Sequence, residues 1–181
     1  MTDPFTHEAH CDALLKRRIK FVAEKGAMAR LFKAGTTADL QYELFISLKP
    51  IFITSHMTRE DYDAWLLGLI KNDRWSRYSR NGLREDRYAY FAKLLNIIIY
   101  EIVSNRELVS EFDWTKIRPW LHAPLDSNVF VNLTKLDPSF PACWILKGMT
   151  ETQYLEMQES IRTLANKYGV PPIWFEDAWT S

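Results

Sequence analysis

Residues 87–103, RYAYFAKLLNIIIYEIV, constrain this chain more than any other stretch. Apolar side chains surround Lys93 and Glu101 on too wide an arc for a helix that buries one stripe and wets the rest. The reading is a helix buried on most sides, at the centre of the fold. Such a helix needs other elements packed around it. The rest of the chain offers helical rather than alternating periods, with no convincing strand pattern, internal repeat or low-complexity tract.

Residues 7–33 read as one helix, with Leu14, Leu15, Ile19, Phe21, Val22, Met28, Leu31 and Phe32 in a mostly helical period before AGTT stops it. A second helix is expected from Asp39 to about Ile53. Thr58 and Asp61 have the spacing of a capping box, and Tyr62, Trp65, Leu66, Leu69 and Ile70 supply the inner face of a third helix. RNGLRED interrupts the pattern near Gly82. After the central helix, SEFDWTKIRPWLHAPLD is a proline-containing connector, followed by a helix over about Ser127 to Leu136. Thr150 and Gln153 form a second capping box, for a helix running to about Lys167, with Gly169 as its C-terminal cap. Pro171 and Pro172 then open a short last helix carrying Trp174, Phe175 and Trp179. The expectation is all-α, with about eight helices.

With 181 residues, 47% of them apolar, the chain can bury one sizeable core. We read residues 1–181 as a single α-helical domain, divisible into two lobes, about 40–120 and the remainder. No apolar run reaches the roughly 18 uninterrupted residues needed to cross a bilayer, and MTDPFTHEAHCD carries charges where a secretory leader needs an apolar core. A cytoplasmic address is expected. Cys11 and Cys143 are too few and too far apart for a disulfide framework, so both are expected to be reduced. Net charge is zero, so a polyanionic partner has to be held by a local patch.

Two stretches could carry chemistry. In WLHAPLDSNVFVNLTKL, residues 120–136, Asp126 falls at an N-cap or first-turn position, where backbone N–H groups and the helix dipole favour the carboxylate. It is either a plain cap or a working acid at a helix mouth, and it can be both. In RWSRYSRNGLREDR, Arg74, Arg77, Arg80, Arg84 and Arg87 interleave with Trp75 and Tyr78, a candidate phosphate footprint. Asp73, Glu85 and Asp86 dilute it, which leaves a solvated charged face equally open. His7, His10, His56 and His122 show no metal-ligand spacing, so no metal or other cofactor is expected. Serine hydrolase, P-loop and dinucleotide-binding signatures are missing as well.

In chain order, FAKLLNIIIYEI, APLDSNVFVNLTKL and YLEMQESIRTLANKYGVPPIWFEDAW resemble the second half of the archaeal 8-oxoguanine DNA glycosylases, members of the helix-hairpin-helix DNA glycosylase superfamily. The resemblance covers residues 84–179 and is faint before them. It implies a two-lobed helical fold with double-stranded DNA across the cleft, a damaged or modified base flipped out, and cleavage of the base–sugar bond. On it, the essential aspartate falls on Asp126 and Lys93 matches a family lysine, which makes these two the catalytic candidates; Glu176 replaces the family's acid, and Trp179 sits one place out of register. These last two, with His56, become substrate-binding candidates, and the arginine cluster becomes a DNA-binding candidate. One feature departs from the family pattern. The hairpin lysine that forms a Schiff base in bifunctional members would stand near Asp86, and no lysine lies between Lys71 and Lys93. Lys93 is displaced from that place by two helical turns, about 10 Å.

The resemblance therefore implies a monofunctional N-glycosylase in which Asp126 activates water, a base-excision hydrolase of DNA repair. The alternative is a glycosylase-like fold whose catalysis has decayed, serving as a DNA-binding or protein-interaction module.

Overall fold

The computed structural model describes residues 6–24, 32–49, 57–72, 77–78, 88–109, 114–141 and 146–178. Among them every regular element is helical, in the order α1 (His7–Ala23), α2 (Thr37–Leu48), α3 (Arg59–Ile70), α4 (Tyr88–Val103), α5 (Arg106–Val109), a 3₁₀ helix (Trp114–Trp120), α6 (Ser127–Leu136), α7 (Glu151–Tyr168) and α8 (Trp174–Asp177). None of these helices is long and apolar enough to cross a membrane.

The broad apolar arc of the central run has the expected consequence. Eleven of the sixteen residues of α4 are buried, from Tyr88 to Val103, and α1, α3, α5, α7 and the 3₁₀ helix all pack against it. The surrounding helices each commit one stripe: Leu15, Ile19 and Val22 on α1, Leu40, Leu44 and Leu48 on α2, and Tyr62, Leu66 and Ile70 on α3. Steps of three and four residues keep each set on a single face. The buried side chains join in one core that runs from Leu15 to Phe175. Each fully buried Leu or Ile in it contributes about 1.5–3 kcal/mol.

Local chemistry fixes the helix ends. Thr58 accepts from the Asp61 N–H while the Asp61 carboxylate accepts from the Thr58 N–H, and Thr150 with Gln153 does the same at the head of α7. Gly169 ends α7 at φ 66°, a left-handed conformation that favours glycine. In one place the expected extent was too long. The α1 helix stops at Ala23, and Lys33 is no longer helical: its N–H donates to the Tyr78 carbonyl at 2.8 Å. Residues 25–31 and 50–56, the expected ends of the first two helices, lie outside the described residues.

Candidate active site

Asp126 is the N-cap of α6. Its backbone is extended (φ −155°, ψ 178°), and its Oδ1 accepts from the Val129 N–H at 2.9 Å. The apolar period of Val129, Phe130 and Leu133 places the helix, and the aspartate before it supplies an acceptor for an otherwise orphaned donor. The other oxygen, Oδ2, accepts from Lys93 Nζ at 2.6 Å. The two residues stand 33 apart in sequence. One comes from the central helix and the other from the mouth of α6.

This ion pair is neither sealed nor fully wet, with side chains 13% exposed for Lys93 and 25% for Asp126. Partial burial is the largest influence on the carboxyl and pushes its pKa up. The Lys93 ammonium and the Val129 and Asn128 N–H groups together outweigh it and hold the pKa below the ordinary 3.8. Asp126 is therefore an anion at neutral pH, already oriented by two donors, with one edge open to solvent.

The connector that carries Asp126 is pinned from α7. Ala123 and Gln158 exchange two hydrogen bonds, Ala123 N–H to Oε1 at 3.0 Å and Nε2–H to the Ala123 carbonyl at 2.8 Å. Beside them is a buried polar chain. His122, 2% exposed, places Nε2 3.2 Å from Asp63 Oδ1 and Nδ1 2.9 Å from the Tyr154 hydroxyl. The same hydroxyl accepts from Asn96 Nδ2 at 3.0 Å. With neutral imidazole, the Asp63 carboxylate selects the tautomer protonated at Nε2, so the Tyr154 O–H donates to Nδ1. Burial raises the Tyr154 pKa well above 10, which keeps the hydroxyl a donor. For Asp63 too, burial is the largest influence and raises the pKa; His122, Arg162 and Arg59 more than offset it, leaving the carboxyl below 3.8.

The remaining candidates are placed less completely. His56, Arg74, Arg80, Arg84, Arg87 and Trp179 lie outside the described residues. Arg77 is exposed, but its guanidinium donates to Glu43 at 2.5 Å and lies 4.7 Å from the centre of the Tyr78 ring, which ties it to α2. Glu176 is half-buried on α8, and neither Lys93 nor Asp126 bonds to it. Cys11 is in no disulfide, and its Sγ lies 3.7 Å from His7 Nδ1. Among the described residues no group of His, Cys, Asp and Glu side chains could hold a metal ion. His122 was weighed only as a metal ligand. Its partners Asp63 and Tyr154 are 59 and 32 residues away, so the available signal was a lone histidine inside an apolar connector.

No family model matches the chain, and no curated protein or solved structure is significantly similar to it.

Proposed function

We propose that the protein is a DNA base-excision N-glycosylase that hydrolyses the bond between a flipped-out damaged or modified base and its sugar, with Asp126 as the acid that works on water. The observation that carries this reading is the 2.6 Å contact between Lys93 and Asp126. The two residues that the glycosylase resemblance singles out for catalysis meet at a helix mouth with an edge open to solvent. As the C1′–N bond breaks, its electron pair leaves with the base and positive charge grows on the sugar. The Asp126 carboxylate lies ready to stabilise that charge and then to take a proton from the water that attacks C1′. The products are an abasic site and the free base. Lys93 is the positioning group of this scheme: its ammonium keeps the carboxylate ionised and aimed. An amine attack by Lys93 would require it to give up a proton and leave Asp126, so the water route disturbs the resting geometry less. A helix-hairpin-helix glycosylase fold in two lobes belongs to the same proposal.

The test is base release from duplex oligonucleotides carrying oxidised, deaminated or alkylated bases. Wild-type protein is expected to release at least one class, and Asp126→Asn to release none while melting cooperatively. Borohydride treatment is expected to trap no covalent adduct; an adduct lost in Lys93→Gln would replace the water route with an amine route.

A second reading has its own support, because Asp126 also does the ordinary work of a cap through Val129. In that reading the fold binds DNA or a protein partner without chemistry. DNA binding with no base release on any lesion would decide for it.

A further inference from the structure

A groove of about 340 Å³ lies between α1 and α2, lined by Lys16, Arg17, Lys20, Ala38, Gln41, Tyr42 and Phe45. That is within the range of about 300–1,000 Å³ common for ligand sites. Lys16, Arg17 and Lys20 are exposed and form no ion pair among the described residues, unlike Arg18 on α1 and Lys49 just past α2, which pair with Glu101 and with Glu8 and Asp12. The groove lining contains no carboxylate. Its floor is apolar and aromatic: Phe45 is buried with Lys16 Nζ 4.5 Å from its ring centre, and Tyr42 stands 62% exposed at the rim. An adjoining hollow contains Asp39 and Glu43, but Glu43 is already taken by Arg77.

Unpaired cations beside an exposed aromatic ring are the two halves of single-strand recognition: charge for the phosphates and a flat face for a base. We propose that this groove binds an unpaired nucleic-acid strand, with Lys16, Arg17 and Lys20 on successive phosphates and a base stacked on Tyr42. An acidic peptide or an anionic lipid surface would use the cations but has no base for Tyr42. The groove shares no residue with the Lys93–Asp126 pair and takes an undamaged strand, so its occupancy does not depend on base excision.

The experiment is fluorescence anisotropy of labelled, undamaged oligo-thymidylate over a range of salt concentrations, using the full chain. Contact with three phosphates predicts a slope of log affinity against log salt of about −2, at roughly 0.7 per phosphate. The triple variant Lys16→Glu, Arg17→Glu, Lys20→Glu is expected to lose most of that slope. Tyr42→Ala is expected to weaken binding at least about five-fold, and Tyr42→Phe to restore it. All four positions are exposed, and unchanged thermal melting verifies that each variant is folded. Unchanged affinity and slope in the triple variant would overturn the proposal. So would poly-glutamate or phosphatidylglycerol vesicles binding as tightly as the strand without dependence on Tyr42. Because the probe carries no lesion, failure here and failure of base release are separate results.

Discussion

The two carboxylates that meet the connector between the 3₁₀ helix and α6 live in different settings. Asp126 sits at its end, bonded to Lys93 and capping α6, with an edge in water. Asp63 reaches in from α3 to a histidine that is 2% exposed and continues through Tyr154 to Asn96, which is fully buried. Burial raises both pKa values and neighbouring cations and donors bring both below 3.8. Both carboxylates keep an edge in water, 25% exposed for Asp126 and 29% for Asp63, but Asp63 leads into side chains that are buried while Asp126 does not. A buried polar group costs stability unless it is bonded, and the buried members of this chain are bonded except at Asn96 Oδ1; in return such a chain fixes where its segments lie. Here it fixes His122, four residues before Asp126, against α3, α4 and α7. The buried network holds the connector, and the Lys93–Asp126 pair is the one proposed for chemistry.

The largest effect expected is at the buried network. Tyr154→Ala removes a fully buried ring and is expected to destabilise the fold by about 3–5 kcal/mol in chemical denaturation. Tyr154→Phe separates packing from polarity: it leaves one Asn96 N–H and the His122 Nδ1 without their hydroxyl partner, while the bonds to Ala92 and Asp63 remain, for about 1–3 kcal/mol. A neutral result for Tyr154→Phe would mean that the chain does not hold the connector.

At the Lys93–Asp126 pair the effect on stability is smaller and divides differently. Asp126→Ala loses both the cap and the ion pair, whereas Asp126→Asn keeps a side chain that caps about as well. The alanine variant is therefore expected to be less stable than the asparagine variant by about 1 kcal/mol. Equal stabilities would indicate that the Val129 bond contributes nothing.

Acid titration compares the two carboxylates directly. Each has a folded pKa below its ordinary 3.8, so its contribution to stability is complete above 3.8 and is lost as pH falls through the lower folded value. Asp126→Asn and Asp63→Asn are each expected to flatten the acid limb of stability against pH below 3.8, and to leave its slope near neutrality unchanged. The smallest effect is expected at Arg77→Ala, because Arg77 is 56% exposed and a surface ion pair of this kind contributes about 0–1 kcal/mol; its melting temperature should stay close to wild type.

What could be read along the chain was what neighbours in sequence decide. The central helix, both capping boxes, the Gly169 stop and the Asp126 cap all depend on residues within a few places of each other. Lys93 and Asp126 meet across 33 residues, and they were paired by resemblance rather than by spacing. The Asp63–His122–Tyr154–Asn96 chain joins four elements over separations of 59, 32 and 58 residues, and no periodicity carries that information. The cations of α1 were hidden for another reason. Lys16, Arg17, Arg18 and Lys20 look alike in sequence, and packing alone decides that Arg18 finds Glu101 while the other three line a groove with α2. The overlong first helix came from following apolar spacing past Ala23, where the helix ends.

The central claim is that the Lys93–Asp126 pair works and the buried network only holds. Single-turnover base release on one lesion duplex, measured for wild type, Asp126→Asn and Tyr154→Phe at a temperature where all three are folded, tests it most directly. The account predicts that Asp126→Asn lowers the rate at least about 100-fold, as loss of a preorganised electrostatic group does, while Tyr154→Phe retains most of it. Base release by Asp126→Asn at the wild-type rate would contradict it.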